Sequence, residues 1–360
     1  MESKYNIDFD KEIPKILWEN KISIIFSTYQ AGRLMIIGSS DGYNLQQIPI
    51  PFKKPMGIAI KGKELAVAGL DEICFFSSNE NVVKSIKNNY KNIDHLYIYR
   101  GSYNTSSIDI HDISYGENEI WGVNTLFSCL CKFDLSHNFV PKWKPNFISD
   151  IAPEDRCHLN GLAMLNGKPK YVTALSDTNI KEGWRKDIMN SGVVIDVEKN
   201  EIIIDGLSMP HSPTIVNDEL YVLESGNGRL IKINTEKKTF DVIYQFNKFV
   251  RGMKHYGGVL FIGLSKIRES SKTFNDLDVI YSSKNAGLIV FDLRTKTPFG
   301  KIIYNNTIEE IYDVDIIEGY CNPAIITRIN KKSKNIIVTP KNIYWRTFKE
   351  KNQEEDSEKD

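Results

Sequence analysis

Short apolar runs rich in Ile, Val, Phe and Tyr recur along the whole chain, separated by turns of Gly, Asn, Asp and Lys, and no long stretch keeps a helical period. That rhythm predicts strands, because strand side chains alternate between two faces whereas a helix repeats every ~3.6 residues. A longer repeat emerges when the runs are stacked. Six segments align: Pro55-Met56-Gly57-Ile58, Ile110-His111-Asp112-Ile113, Leu159-Asn160-Gly161-Leu162, Pro210-His211-Ser212-Pro213, Val250-Arg251-Gly252-Met253 and Ile311-Tyr312-Asp313-Val314. Each offers an apolar residue, a variable one, a small or acidic one and usually a second apolar one.

A second apolar run follows every copy but the last, at Glu64–Leu70, Glu119–Asn124, Lys170–Leu175, Glu219–Glu224 and Val259–Leu264. A third follows at Glu72–Phe76, Ser128–Asp134, Gly192–Val197, Arg229–Asn234 and Gly287–Leu293. The sixth copy has no continuation nearby, but the chain opens with two strands that lack a first one, Ile22–Tyr29 and Arg33–Gly38. Pairing the C-terminal strand with these predicts an all-β, six-bladed β-propeller closed by its N- and C-terminal strands, which leaves only short, protected edges. The spacing of roughly fifty residues exceeds the ~40–45 of a compact blade, which places insertions at Ser176–Ser191 and Ser265–Ala286. Ala324–Ile329 and Asn335–Val338 also read as strands; as a blade of their own they would make seven. A two-domain sandwich array would leave the six equivalent segments unexplained. One domain over residues 1–348 is expected, followed by a charged tail, 349–360, too polar to repay ordering.

In such a ring the first strand of each blade lines the central channel, and antiparallel pairing brings its start beside the end of the second. One mouth therefore collects the variable positions Met56, His111, Asn160, His211, Arg251 and Tyr312. Two residues earlier, on the same face of an extended strand, stand Lys54, Asp109, His158, Met209, Phe249 and Glu310. The second strands deliver Asn124-Thr125, Ser176-Asp177, Glu224-Ser225 and Ser265 to the same place. Both insertions begin there and are expected to arch over the mouth as a lid carrying Trp184, Arg185, Arg268 and Glu269.

Overall charge adds little. Lys+Arg and Asp+Glu number 46 each, which provides no footing for nucleic acid or an acidic membrane as partner. No apolar run is long enough to span a bilayer, and Met1–Asn20 lacks the apolar core of a secretory signal. Cys74, Cys129, Cys131, Cys157 and Cys321 show no metal-type spacing and suit reduced thiols, so a cytoplasmic location is expected.

The chemistry must then be local. His111, His158 and His211 sit on three successive blades, where neutral imidazoles could hold a divalent metal and leave a position for water or substrate. The competing reading is that polar groups in the channel bond one another and trapped water. Arg251 offers a planar fork for a carboxylate or phosphate, or pairs internally with Glu224 or Glu310. Those two glutamates are the candidates for moving a proton. Asp112 and Asp313 are read as ties to neighbouring backbone amides. Alternation turns Cys157 away from His158, which disfavours a nucleophilic pair.

Several phrases resemble those of a bacterial family of conserved hypothetical proteins that sometimes occur with tetratricopeptide repeats: Val123-Asn124-Thr125-Leu126-Phe127-Ser128-Cys129-Leu130, Ala152-Pro153-Glu154-Asp155-Arg156-Cys157-His158-Leu159-Asn160-Gly161-Leu162 and Gly206-Leu207-Ser208-Met209-Pro210-His211-Ser212-Pro213. The resemblance runs from about Ser27 to Gly319. It implies that Asn124, Arg156, His158, Asn160, His211 and Arg251 belong to shared motifs, and it carries no established activity. Asn124, Arg156, Asn160 and Arg251 form the expected substrate-binding set. More loosely, the strand starts are similar to those of six-bladed lactonase-type and lyase-type propellers that hold a divalent ion at the channel mouth. Two functions compete on these grounds. One is a metal-dependent enzyme acting on a small polar or anionic substrate; the other is a non-catalytic module for a peptide, glycan or partner protein, anchored by Trp184, Phe274 and Tyr281.

Overall fold

Six antiparallel sheets radiate from a central channel in the computed structural model, which describes residues 5–79, 81–83, 92–267, 277 and 279–346. The first blade runs outward as Ile58–Lys61, Glu64–Ala68, Glu72–Ser78 and His95–Asn104, and the second as Ile110–Tyr115, Ile120–Asn124, Cys129–Asp134 and His137–Trp143. The third comprises Leu159–Leu165, Lys168–Ala174, Gly192–Asp196 and Glu201–Leu207; the fourth, Pro210–Val216, Glu219–Glu224, Arg229–Asn234 and Thr239–Gln245. Val250–Tyr256, Val259–Leu264, Gly287–Asp292 and Thr297–Tyr304 build the fifth. The sixth closes the ring as the pattern predicts: Val314–Glu318, innermost, pairs antiparallel with Ile22–Thr28, followed by Arg33–Gly38 and Gln46–Pro51.

The leftover strand-like segments do not form a seventh blade. Pro323–Ile326 adds in parallel outside His95–Asn104, and Ile336–Val338 with Ile343–Trp345 makes a separate hairpin. Ile7–Phe9 covers the outer edge of the fifth blade by antiparallel pairing with Thr297–Tyr304. Strands this short bury too little to stand as a blade, but they shield edges that would otherwise offer unpaired amides. The charged tail 349–360 and the lid residues Arg268 and Glu269 lie outside the described residues. No helix among the described residues is long and apolar enough to cross a membrane.

Neighbouring blades share apolar cores, which is why the middle strands lose the alternation of a half-buried sheet. Every residue of Ile22–Thr28 is buried, since one face meets the first blade through Ile25 and the other meets the fifth through Ile24 and Phe26. A strand covered on both sides reads as a continuous hydrophobic run. The helix Glu12–Glu19 inserts Ile13 and Leu17 into the core shared by the fifth and sixth blades.

Near the channel, polar staples set the spacing between blades. Asp112 Oδ2 accepts the Leu162 N–H at 2.8 Å, Ser212 Oγ accepts the Gly252 N–H at 3.0 Å, and Asp313 Oδ2 accepts the Ile58 N–H at 2.8 Å. At the intervening junctions the same position is glycine, because the next backbone comes too close for a side chain. A Cβ on Gly57 would stand 2.7 Å from Ile113 N, and one on Gly161 would stand 2.5 Å from Pro213 Cδ. The "small or acidic" position thus resolves into an alternation around the ring: Gly57, Asp112, Gly161, Ser212, Gly252, Asp313. Hydroxyls at the ends of second strands form a further set, Ser27 donating to Met56 O at 2.6 Å, Thr125 to Leu159 O at 2.5 Å, Ser225 to Val250 O at 2.5 Å and Ser265 to Ile311 O at 3.0 Å.

Candidate functional site at the channel mouth

The inner strands do begin at one mouth, but not along one extended face. Lys54, Asp109, His158 and Met209, each two residues ahead of a variable position, hold left-handed backbone with φ of 48, 52, 51 and 50°. Residues with a Cβ reach that region only under strain, so the chain kinks before each of these strands. Period-two alternation presumes an unbroken strand and cannot place these side chains. The kink carries His158 to the mouth, while Asn160, at the variable position of the same blade, is buried with its Oδ1 accepting the Thr173 hydroxyl at 2.5 Å.

Around the axis the side chains stack in sequence. The Arg251 guanidinium lies 3.6 Å from the Tyr312 ring centre, Tyr312 lies 5.5 Å from His111, His111 meets His158 edge-on at 4.7 Å, and His158 lies 4.3 Å from Trp184. Trp184 comes from the first insertion, in the short 3-10 turn Gly183–Lys186. Its Nε1 donates to Asp155 Oδ2 at 2.9 Å, and the same carboxylate holds His158 Nδ1 at 2.9 Å. The expected lid is therefore present on this side, pinned by a buried tryptophan. Ile188 of the first insertion and Ile267, Leu277 and Val279 of the second complete one apolar layer with it. Of the proposed aromatic anchors, Tyr281 is exposed, Trp184 is buried but lines the mouth pocket, and Phe274 lies outside the described residues.

Each histidine commits Nδ1 locally. His211 Nδ1 lies 2.8 Å from the Met209 carbonyl and 2.9 Å from the Ser225 hydroxyl, whose own proton goes to Val250 O. Two acceptors at Nδ1 require the proton there, which leaves a lone pair on Nε2. His158 is fixed alike by Asp155, and His111 Nδ1 faces the Asp109 carbonyl at 3.4 Å. Burial, then His158 and Arg251, hold His111 well below the usual imidazole range; burial and Arg251 do the same to His211. Both are neutral at pH 7.

A pocket of about 190 Å³ opens here, with His158, His211, Arg251 and Glu310 on its polar side and Met209, Phe249 and Ile267 among its apolar walls. Arg251 and Glu310 face each other at 3.7 Å, a separation longer than a hydrogen bond. Besides Asn160, and His111, which stands at the mouth but does not line this pocket, three expected site residues lie elsewhere. Glu224 is buried, accepting the Ser208 N–H at 3.0 Å and Asn227 Nδ2 at 2.8 Å, with Arg229 at 3.5 Å, so its carboxylate organises the neighbouring turns. Asn124 Oδ1 accepts the Phe127 N–H at 3.1 Å and shapes the turn after its strand. Arg156 reaches Glu154 at 2.7 Å, Asn179 at 2.8 Å and Ser149 at 3.0 Å, tying the first insertion to the loop before the third blade. Two mouth residues had no forecast: Gln30, which lines the pocket, and Tyr29, which stacks on Tyr312 at 6.2 Å. They stand two and three residues beyond Ser27, which holds in the closing blade the place of Thr125 and Ser225 in theirs, and that nearness to an aligned strand end is the signal that marks them.

The donor chemistry of the three histidines suits a metal, since each directs Nδ1 away and keeps Nε2 for a ligand. Their placement is another matter. Among the described residues no three His, Cys, Asp or Glu side chains form a set able to hold a metal ion. At the far end the channel widens to about 640 Å³. There Lys254 pairs with Asp315 at 2.7 Å, and burial, then Asp313, pushes the Asp112 carboxyl well above its ordinary range.

A family model described as a domain of unknown function (DUF4915) matches residues 11–326. Among solved structures, a chain from the crystal structure of a nidogen/laminin complex is similar with a TM-score of 0.51 at 11% identity, over 83% of this chain and 100% of that one. At that identity the likeness speaks for the propeller fold alone. No curated protein matches.

Proposed function

The chain belongs to the DUF4915 family of unknown function, and on that premise we propose that it binds a small polar or anionic molecule in the mouth pocket and moves a proton on it. The observation that carries this reading is neutral His211 lining the same pocket as Arg251, a base with an available lone pair beside a permanent cation. Arg251 would receive the anionic group, since Glu310 engages it only loosely. His211 or His158 would accept the proton through Nε2, and Glu310 on the same wall would pass it on. The apolar layer over the mouth excludes water and strengthens each of these interactions. Work in a reducing, cytoplasmic compartment fits the five unpaired cysteines.

A divalent ion at the mouth is the second reading, favoured by the shared tautomer of the three histidines. Calorimetric titration with small carboxylates and phosphates, combined with elemental analysis, tests both. The expected result is binding that is lost in Arg251→Gln and turnover, but not binding, that is lost in His211→Gln. Binding without turnover in the unaltered protein points to a non-catalytic module. A stoichiometric metal that disappears in His158→Ala supports the metal-dependent version, and no binding of any member of the panel overturns the proposal.

A further inference from the structure

Between the sixth and first blades, beside the mouth, lies a second pocket that the preceding chemistry does not use. Its volume is about 480 Å³, within the range that takes an organic molecule of moderate size. It forms where the core between these two blades opens toward the mouth face. Phe52, Phe76, Tyr99 and Ile329 supply its apolar surface, with Tyr29 on the side nearest the channel. Phe76 and Tyr99 meet edge-on at 5.9 Å, which keeps both rings in place.

The charges around this apolar surface are unbalanced. Lys53 is matched by Asp71 at 3.0 Å and Arg328 by Glu72 at 3.4 Å. Arg33 and Lys54 have no such carboxylate among the described residues. Arg33 Nη1 donates to the Gly32 carbonyl at 2.8 Å, and the Lys54 ammonium rests 5.1 Å from the Tyr29 ring centre. Two cations outside any ion pair among the described residues, Lys54 being bonded to Tyr29 and attracted by Asp109 only at longer range, are complementary to one kind of guest beside an aromatic-lined cavity.

We propose that this pocket binds an amphipathic organic monoanion, with a flat aromatic or acyl body against Phe52 and Tyr99 and a carboxylate or sulfonate at Arg33 and Lys54. The guest is held without covalent chemistry. Cys74 in the wall is buried, which pushes its thiol up to about 12, so it acts as an apolar surface. A cation of the same shape would face Arg33 and Lys54 with like charge and is excluded. The site is separate from the mouth, although Gln30 borders both.

The test is fluorescence titration of the full chain with anilinonaphthalene sulfonate, with dodecanoate and dodecylammonium as competitors. One dye per chain is expected, displaced by dodecanoate and not by dodecylammonium. The double variant Arg33→Gln/Lys54→Gln should weaken the dye by about tenfold or more, while Arg251→Gln at the mouth leaves its affinity within about twofold. Lys54 is at the surface and Arg33 at a strand end, and an unchanged thermal melt establishes that the double variant is folded. Should that variant not fold, Lys54→Glu alone carries the test, with the same expected loss. Equal competition by dodecylammonium, loss on Arg251→Gln without loss on the double variant, or the absence of saturable binding each overturns the proposal.

Discussion

Replacing Asp313 by Asn should abolish one component of the protein's pH-dependent stability. Asp313 is the staple that joins the sixth blade to the first, its two oxygens accepting the Ile58 and Val314 N–H groups at 2.8 Å each. Burial raises its carboxyl, Asp315 adds to the rise, the amide bonds oppose it, and the outcome is about 7. An unfolded aspartate titrates near ~3.9. Between those values the native state holds a proton that the unfolded chain has released, so stability falls as pH rises and the full penalty is reached above the folded value. From pH ~5 to pH ~8 this linkage amounts to about 2–3 kcal/mol. His111 and His211 act in the opposite sense. Their folded values lie below the unfolded one, so the stability they permit is present above about pH 6.5 and is lost as pH falls. The absolute profile mixes both signs, but subtracting the variant isolates Asp313, and the acceptor that Asn lacks contributes a constant that cancels. Urea unfolding of both proteins at the two pH values is the assay. The unaltered protein should lose about 2–3 kcal/mol relative to Asp313→Asn on going from acid to alkaline, or about 3–4 °C in midpoint for a chain of this size. Identical pH dependence in the two proteins would refute the reasoning.

Gly57→Ala should destabilise by about 2–3 kcal/mol, since its Cβ would press on the backbone of the second blade. Gly101→Ala, whose Cβ would meet nothing within 4 Å, should stay within about 0.5 kcal/mol in the same urea titration. Ending the chain at Tyr312 removes Val314–Glu318 and leaves the channel-side edge of Ile22–Thr28 unpaired while its other edge keeps Arg33–Gly38, so gel filtration should show aggregate in place of monomer. A thiol reagent should label Cys321 alone in the native protein and all five cysteines in urea, because the other four are buried and burial pushes Cys74, Cys129 and Cys157 up to about 12. Proton NMR should find the His111 and His211 rings still neutral at pH ~6, below the ordinary histidine midpoint; rings titrating at ~6.5 would contradict the burial assigned to them.

The ring and its closure were legible in the chain because they rest on local regularities. A repeated apolar segment marks each inner strand, and the missing first strand at Ile22 matches the surplus one at Val314. The histidines and Arg251 were legible for the same reason, as they stand at aligned starts. The kinks at Lys54, Asp109, His158 and Met209 were not, since left-handed backbone at Lys, His or Met leaves no residue-type signature. Nor could residue type separate Glu310, which lines the pocket, from Glu224, whose carboxylate is taken by the Ser208 amide and Asn227.

The amino-acid pattern by itself determined the all-β class, the six blades, the strands that close them and the mouth at which polar groups gather, since strand period and repeat spacing are properties of neighbouring residues. The tertiary structure decided which of those groups remain available. A buried polar atom must find a partner, and whether it finds one in its own turn, in the next blade or in a ligand depends on distances between segments that lie far apart in the chain.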